Sequence, residues 1–283
     1  PILINVITKS GTTFETIKNF DIFLALLKRY RPLDYQALIV VTTDHNSALF
    51  HQAEQEHFTI LTIPKYVGGR FSVFTAVGLF PLGLAGFDTK KLCEGARDIT
   101  DAYSENDQAN FAAQSAFLQY SYYKKSFFLF DLFLFSSELE DLGKWYRQLF
   151  SESLGKDIDM HGNRIDAEIF FTVSLGSADL HSVAQLYLAQ AKHMFTTFVV
   201  VEQNNHFYDK NFLLMIAQAT QKAYVKKNKP FCTITISQKN EYSLGQFLQS
   251  KMLEVIYLAK LLQVNAFDQP HVELYKKEMQ TTS

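Results

Sequence analysis

Ile2-Leu3-Ile4-Asn5-Val6-Ile7-Thr8-Lys9-Ser10-Gly11-Thr12-Thr13-Phe14-Glu15-Thr16 decides how the rest of the chain is read. The first half is an apolar run of strand length. The second half is a hydroxyl-rich turn built around a glycine. From Thr13 to Tyr30, Ile17, Phe20, Leu24 and Leu27 then recur at helical spacing. A second strand-like run follows at 37–42, so the order strand, helix, strand makes a βαβ unit and hence a parallel sheet. Thr12 and Glu15 have the spacing of a capping box, which places a helix start beside them. Hydroxyls and backbone N–H groups at a helix N-terminus suit an anion, although an ordinary capped turn has the same spacing. The glycine and lysine are not spaced as in a Walker A loop.

Further strand-like runs lie at 58–63, 126–135, 168–173, 196–201 and 231–237. Helical patterns extend from Phe71 to about Leu84 and over 89–103, 108–123, 137–154, 179–190, 211–226 and 243–263. A strand-free helical stretch therefore separates two strand-bearing regions, and the fold class is α/β. A three-stranded parallel sheet rarely stands alone, so the first region is expected to lack neighbouring strands and to leave an open edge at residues 2–7.

The chain has 283 residues, a formal net charge of −2, 47% hydrophobic and 20% charged residues, which describes a folded globular protein and gives nucleic acid no field to bind. Two cysteines are too few for a disulfide framework or a thiolate metal cage and suit a reducing compartment. No apolar run reaches the length of a membrane span, and no leader pattern opens the chain, so a cytoplasmic location is expected.

Several side chains carry potential chemistry. In Val67-Gly68-Gly69-Arg70-Phe71-Ser72, paired glycines admit a close backbone approach and Arg70 offers a cation for developing negative charge; a solvated arginine after a Gly-Gly turn is the plain alternative. Glu152 and Gln148 are four residues apart and share a helix face. A carboxylate at the end of that aromatic-rich helix is either a partly desolvated base or an ordinary solvated acid. His181 is either an acid–base group or a first-turn histidine. His51, Glu54 and His57, and likewise Asp157, Asp159 and His161, read as solvent-facing polar positions and not as metal ligands.

Lys9 to Thr13 with Glu15 and Thr16, Val67 to Gly78, Gly143 to Lys156, Gly176 to Ser182, Tyr242 to Gly245, and Phe267-Asp268-Gln269 followed by Val272-Glu273-Leu274 and Lys276 occur in one order along the chain. Together they resemble glucose-6-phosphate isomerases, over about residues 4–276, beginning partway through that family's first domain. The resemblance implies sugar-isomerase (SIS) domains, each a three-layer αβα sandwich with a parallel sheet. The first, at 1–88, is expected to be incomplete. The second, with its connecting helices, occupies 89–265, and a C-terminal tail follows at 266–283.

By that resemblance Thr8, Lys9, Ser10 and Thr13 hold the sugar phosphate, and Gly69 and Arg70 face the reacting carbons. Glu152 is the base moving a proton between C1 and C2, with Gln148 beside it. His181 and Lys276 assist ring opening, the histidine coming from a second subunit of a homodimer, and Gln269 lies in the C-terminal part of the site. Isomerisation by proton transfer requires neither a redox cofactor nor a metal. The chain departs from the family pattern at Lys65, where an acidic or small polar residue is usual, and at His271, which replaces a glycine. It also lacks the family's glycine-rich phosphate loop, so this stretch on its own is expected to fold without catalysing. The alternative is a non-catalytic SIS protein that binds a sugar phosphate.

Overall fold

A computed structural model describes residues 2–105, 110–165, 168–203, 212–272, 274 and 278. The chain divides into two compact units, Pro1–Thr89 and Lys90–Ser283.

The first unit is built on β1 (Ile4–Thr8), β2 (Ile39–Asp44) and β3 (Thr59–Ile63), all parallel, in the order β1-β2-β3. Helix α1 (Phe14–Tyr30) follows β1 and buries Phe20, Leu24 and Leu27 against Val6, Ile39 and Val41. These are the residues whose helical spacing predicted the element. Helix α2 (Ala48–Gln55) had not been expected as a separate element. It is eight residues long, capped by Ser47 accepting from the Phe50 N–H, and it buries Leu49, Phe50 and Ala53. Its outer face carries His51 and Glu54, exposed and 3.4 Å apart. The helical pattern after Phe71 resolves into a tight turn at Gly69–Phe71 and helix α3 (Ala76–Leu84). Strand β1 is an edge, and Ile2 and Leu3 are exposed.

The second unit starts with α4 (Thr89–Glu105) and α5 (Phe111–Tyr123). Strands β4 (Leu129–Leu134), β5 (Phe170–Leu175), β6 (Met194–Gln203) and β7 (Phe231–Gln238) form an all-parallel sheet in the order β5-β4-β6-β7. Helices α6 (Glu140–Leu154), α7 (Ala184–Ala189), α8 (Phe212–Lys226) and α9 (Glu241–Leu262) accompany it. Strand β4 is buried on both faces, which is why it reads as a continuous apolar run. Phe130 meets Phe150 of α6 on one side, while Phe133 stacks with Phe198 in the cluster that includes Tyr224 of α8 on the other. The expected helix over 179–190 is instead a turn at Ala178–His181 and the six-residue α7. Asp179 explains the break, because its carboxylate accepts from the Leu175 N–H and the Ser182 hydroxyl.

Asp131 is a buried acid in the middle of this sheet. Its Oδ1 accepts from Thr172 Oγ1 at 2.7 Å and Ser174 Oγ at 2.9 Å, while Oδ2 has no partner among the described residues. Burial pushes its carboxyl up to about 6 in spite of those hydroxyls. The ordinary value is 3.8, so the folded state holds the proton more tightly than the unfolded chain. Its contribution is therefore most favourable in acid and is lost as pH rises through 6, by up to about 3 kcal/mol. Asp131→Asn keeps the Oδ1 acceptor and removes the charge. Urea unfolding is expected to show variant and wild type diverging as pH rises from 4 to 7, with the variant more stable at pH 7.

Candidate functional site

The turn between β1 and α1 is held by its own hydroxyls. Thr8 and Thr13 Oγ1 atoms lie 2.8 Å apart, and Ser10 Oγ accepts from Thr12 N at 3.2 Å and from Thr12 Oγ1 at 3.0 Å. Thr8 is buried, while Ser10 and Thr13 are exposed at the start of α1. The helix cap is Thr13, with no side-chain cap hydrogen bond. The Thr12–Glu15 capping box expected from spacing does not form, because Thr12 lies outside the cap and its hydroxyl is turned to Ser10.

Gly11 is required for this shape. Its φ is +68°, and a Cβ would stand 2.9 Å from the Leu49 N and from Ser47 Cβ and Oγ. Gly11→Ala is expected to cost about 1–3 kcal/mol through the left-handed backbone alone, with more from the collision. Thermal unfolding by circular dichroism checks it.

Lys9 joins this turn to the second motif of the unit. Its Nζ donates to the carbonyls of Lys65 and Val67, each at 2.8 Å. At Lys65 the fold thus uses the backbone carbonyl, whatever the side chain. Two of the three ammonium protons of Lys9 are thus used on the stretch that leads into the double glycine. Gly68 and Gly69 have nothing of the protein within 4 Å of a Cβ built on them, so the space beside them is open. Arg70 is buried, with its guanidinium carbon 5.5 Å from the Phe71 ring centroid. The reading of Arg70 as a solvated turn residue is therefore excluded.

In the second unit, Gln148 Nε2 donates to Glu152 Oε1 at 2.9 Å, one turn apart on α6. Gln148 is exposed and Glu152 half-buried. The helix lies close on the sheet because residue 143 is glycine: a Cβ there would come within 2.7 Å of Leu134 and Val173 side-chain carbons. His181 is exposed, at the end of the turn after β5. Gln269 is half-buried in the segment after α9. His271 sets Nε2 2.8 Å from Asp157 Oδ1. Its hydrogen bond and charge hold the Asp157 carboxyl below its ordinary value. Lys276 lies outside the described residues. Sequence reasoning gave no role to Lys156, although its ammonium meets the Glu152 carbonyl and Asp268; the partners are too distant in sequence to be paired by spacing.

The profile of the phosphoglucose isomerase family matches residues 1–226. A glucose-6-phosphate isomerase of Mycoplasmopsis synoviae is 34% identical over 98% of this chain and 67% of its own length. The enzyme of that name from Methanocaldococcus jannaschii is 33% identical over 97% of this chain and 70% of its own length. The chain thus spans about two-thirds of these relatives. A crystal structure of a Thermus thermophilus protein described as hypothetical superposes with a TM-score of 0.91 at 30% identity, over 99% of this chain and 71% of that one. With most of its length matched by the family profile and with relatives at this identity along nearly all of it, the chain belongs to the phosphoglucose isomerase family.

Proposed function

We propose that this chain carries the larger part of a site interconverting glucose 6-phosphate and fructose 6-phosphate through a cis-enediol or enediolate intermediate. The pairing of Gln148 with Glu152 on α6 carries the reading, in a chain whose relatives bear the name of that enzyme. An aldose–ketose isomerisation needs a base that takes a proton from one carbon and returns it to the next, a cation near the enediolate oxygens, and an anchor for the remote phosphate. Glu152 is the base, oriented by Gln148. Buried Arg70 supplies a cation whose attraction is not diluted by bulk water. Thr8, Ser10 and Thr13 present hydroxyls, with α1 N–H groups behind them, to the phosphate, and Lys9 braces this turn against the carbonyls of Lys65 and Val67.

Gln269, His181 and Lys276 complete the proposal, the last two for ring opening. A cytoplasmic homodimer in which His181 serves the neighbouring subunit belongs to the same proposal. No helix among the described residues is long and apolar enough to cross a membrane.

A coupled assay detecting glucose 6-phosphate made from fructose 6-phosphate tests the reading. The complete gene product is expected to turn over, and the 283-residue chain to fall more than tenfold below it. Turnover of the chain within tenfold of the complete product, a barrier difference of only about 1.4 kcal/mol, contradicts the expectation that further phosphate ligands are needed. Sugar-phosphate binding without turnover by the complete product favours a non-catalytic binder.

A further inference from the structure

Lys156 stands just beyond the C-terminal end of α6, four residues after Glu152. Its side chain is 5% exposed, so a charged group has been taken almost wholly out of water. Three acceptors surround it. Nζ donates to the Glu152 carbonyl at 2.8 Å, to the Asp268 carbonyl, and to Asp268 Oδ1 at 2.9 Å. An ammonium has three protons, and these acceptors use all of them. The Glu152 carbonyl belongs to the helix end, where backbone dipoles favour a cation.

Asp268 precedes Gln269 directly and is itself fixed by its neighbours. Its Oδ2 accepts from Asn265 Nδ2 at 2.9 Å, and Asn265 Oδ1 accepts from the Phe267 N–H at 3.0 Å. Two further ties join the same stretches: the Met160 N–H donates to the Gln263 carbonyl at 2.8 Å, and His271 meets Asp157. The His271–Asp157 pair is exposed and worth little in water. Lys156 is the buried tie, and it bonds both residues that adjoin the proposed chemistry: Glu152 through its carbonyl and Asp268 through two oxygens.

We propose that Lys156 is a positioning residue that locks the Asp268–Gln269 segment onto the end of α6, fixing Gln269 relative to the Glu152 carboxylate. The functional part rests on the isomerase reading above; the lock itself does not. The expected effect on rate is sizeable, because a displacement of roughly 1 Å in a site can cost about 10²-fold. Substrate affinity is expected to change little, because the proposed phosphate anchor is the turn between β1 and α1, and the bonds of Lys156 run to Glu152 and Asp268.

Lys156→Met removes all three bonds, and Asp268→Asn weakens the lock from the opposite side. Hydrogen exchange is measured on the 283-residue chain, and kcat and KM for fructose 6-phosphate on the complete gene product. Each variant is expected to speed exchange of the amides at 265–272, Pro270 having none, at least tenfold while those of β4 stay at the wild-type rate. The double variant is expected to add little. In the kinetic arm kcat falls 10- to 100-fold and KM moves less than threefold.

Unchanged exchange at 265–272 overturns the lock. Acceleration that includes β4 overturns it too, since the residue is then supporting the whole unit. Faster local exchange with unchanged kcat overturns the positioning role. A complete gene product without isomerase activity fails the functional reading, and the exchange result still decides whether the lock exists.

Discussion

Glu152→Gln is expected to abolish isomerisation while leaving sugar-phosphate binding near the wild-type level. The amide has nearly the shape of the carboxylate, and Gln148 Nε2 still finds an acceptor oxygen 2.9 Å away when the new side chain presents its carbonyl to it. The amide cannot take a proton from carbon at neutral pH. Loss of a general base typically costs on the order of 10² to 10⁴ in rate, and the upper end is expected where one group both removes and returns the proton. A coupled assay gives kcat, and titration calorimetry with fructose 6-phosphate gives affinity. Turnover within a factor of ten of wild type would remove Glu152 from the mechanism. Loss of binding together with turnover would give it a structural role instead.

The largest effect on stability is expected at Lys251. This lysine and Glu254 lie on the buried face of α9, their side chains 2% and 3% exposed and 2.8 Å apart. Glu254 also accepts from Gln119 Nε2 at 2.9 Å and from the Tyr146 hydroxyl, and the Lys251 ammonium sits 4.8 Å from the Tyr146 ring centroid. Burial pushes the Glu254 carboxyl up, but the charge and hydrogen bonds of Lys251, with those of Ser115 and Tyr146, leave it below its ordinary value. The same surroundings raise the Tyr146 phenol, through burial first and the Glu254 charge second.

Lys251→Met leaves that carboxylate buried without its cation, which typically costs about 3–5 kcal/mol. Adding Glu254→Gln neutralises the stranded charge and keeps an acceptor for Tyr146 and Gln119, so the double variant is expected to recover most of the loss. The single tryptophan of the chain, Trp145, is next to Tyr146 on α6. Its fluorescence in urea therefore follows this unit directly. A single variant within 1 kcal/mol of wild type would mean that the pair is dispensable.

What could be read from sequence follows from what local patterning encodes. The strands of the described residues were visible as apolar runs, most fully β2 and β4, which lie inside their parallel sheets and are buried along nearly their whole length. Helix α1 was visible through Phe20, Leu24 and Leu27. Helix α2 was missed because eight residues give only two turns of periodicity, and its one explicit signal was the capping residue Ser47. The break before α7 was missed for a similar reason: Asp179 bonds back to the end of β5, and an apolar pattern does not reveal such a bond.

The candidate site shows the same division. Gly11 marked the turn, and the four-residue spacing of Gln148 and Glu152 placed them on one helix face. The brace from Lys9 to Val67 spans 58 positions and the bond from Lys156 to Asp268 spans 112, and no short-range pattern carries either. The burial of Arg70 likewise depends on how the chain folds over it. The functional roles were suggested by order and resemblance, while the ties that hold those residues in place appear only in the folded chain.

The most direct test of the central claim is conversion of fructose 6-phosphate by the complete gene product in D₂O, with the product sugar analysed by NMR. Glucose 6-phosphate carrying deuterium at carbon 2 is expected, in less than one equivalent where Glu152 returns part of the original hydrogen, with no deuterium and no conversion for Glu152→Gln. Conversion that persists in that variant, or a complete wild-type product that neither converts the sugar nor exchanges its carbon-bound hydrogen, would contradict it.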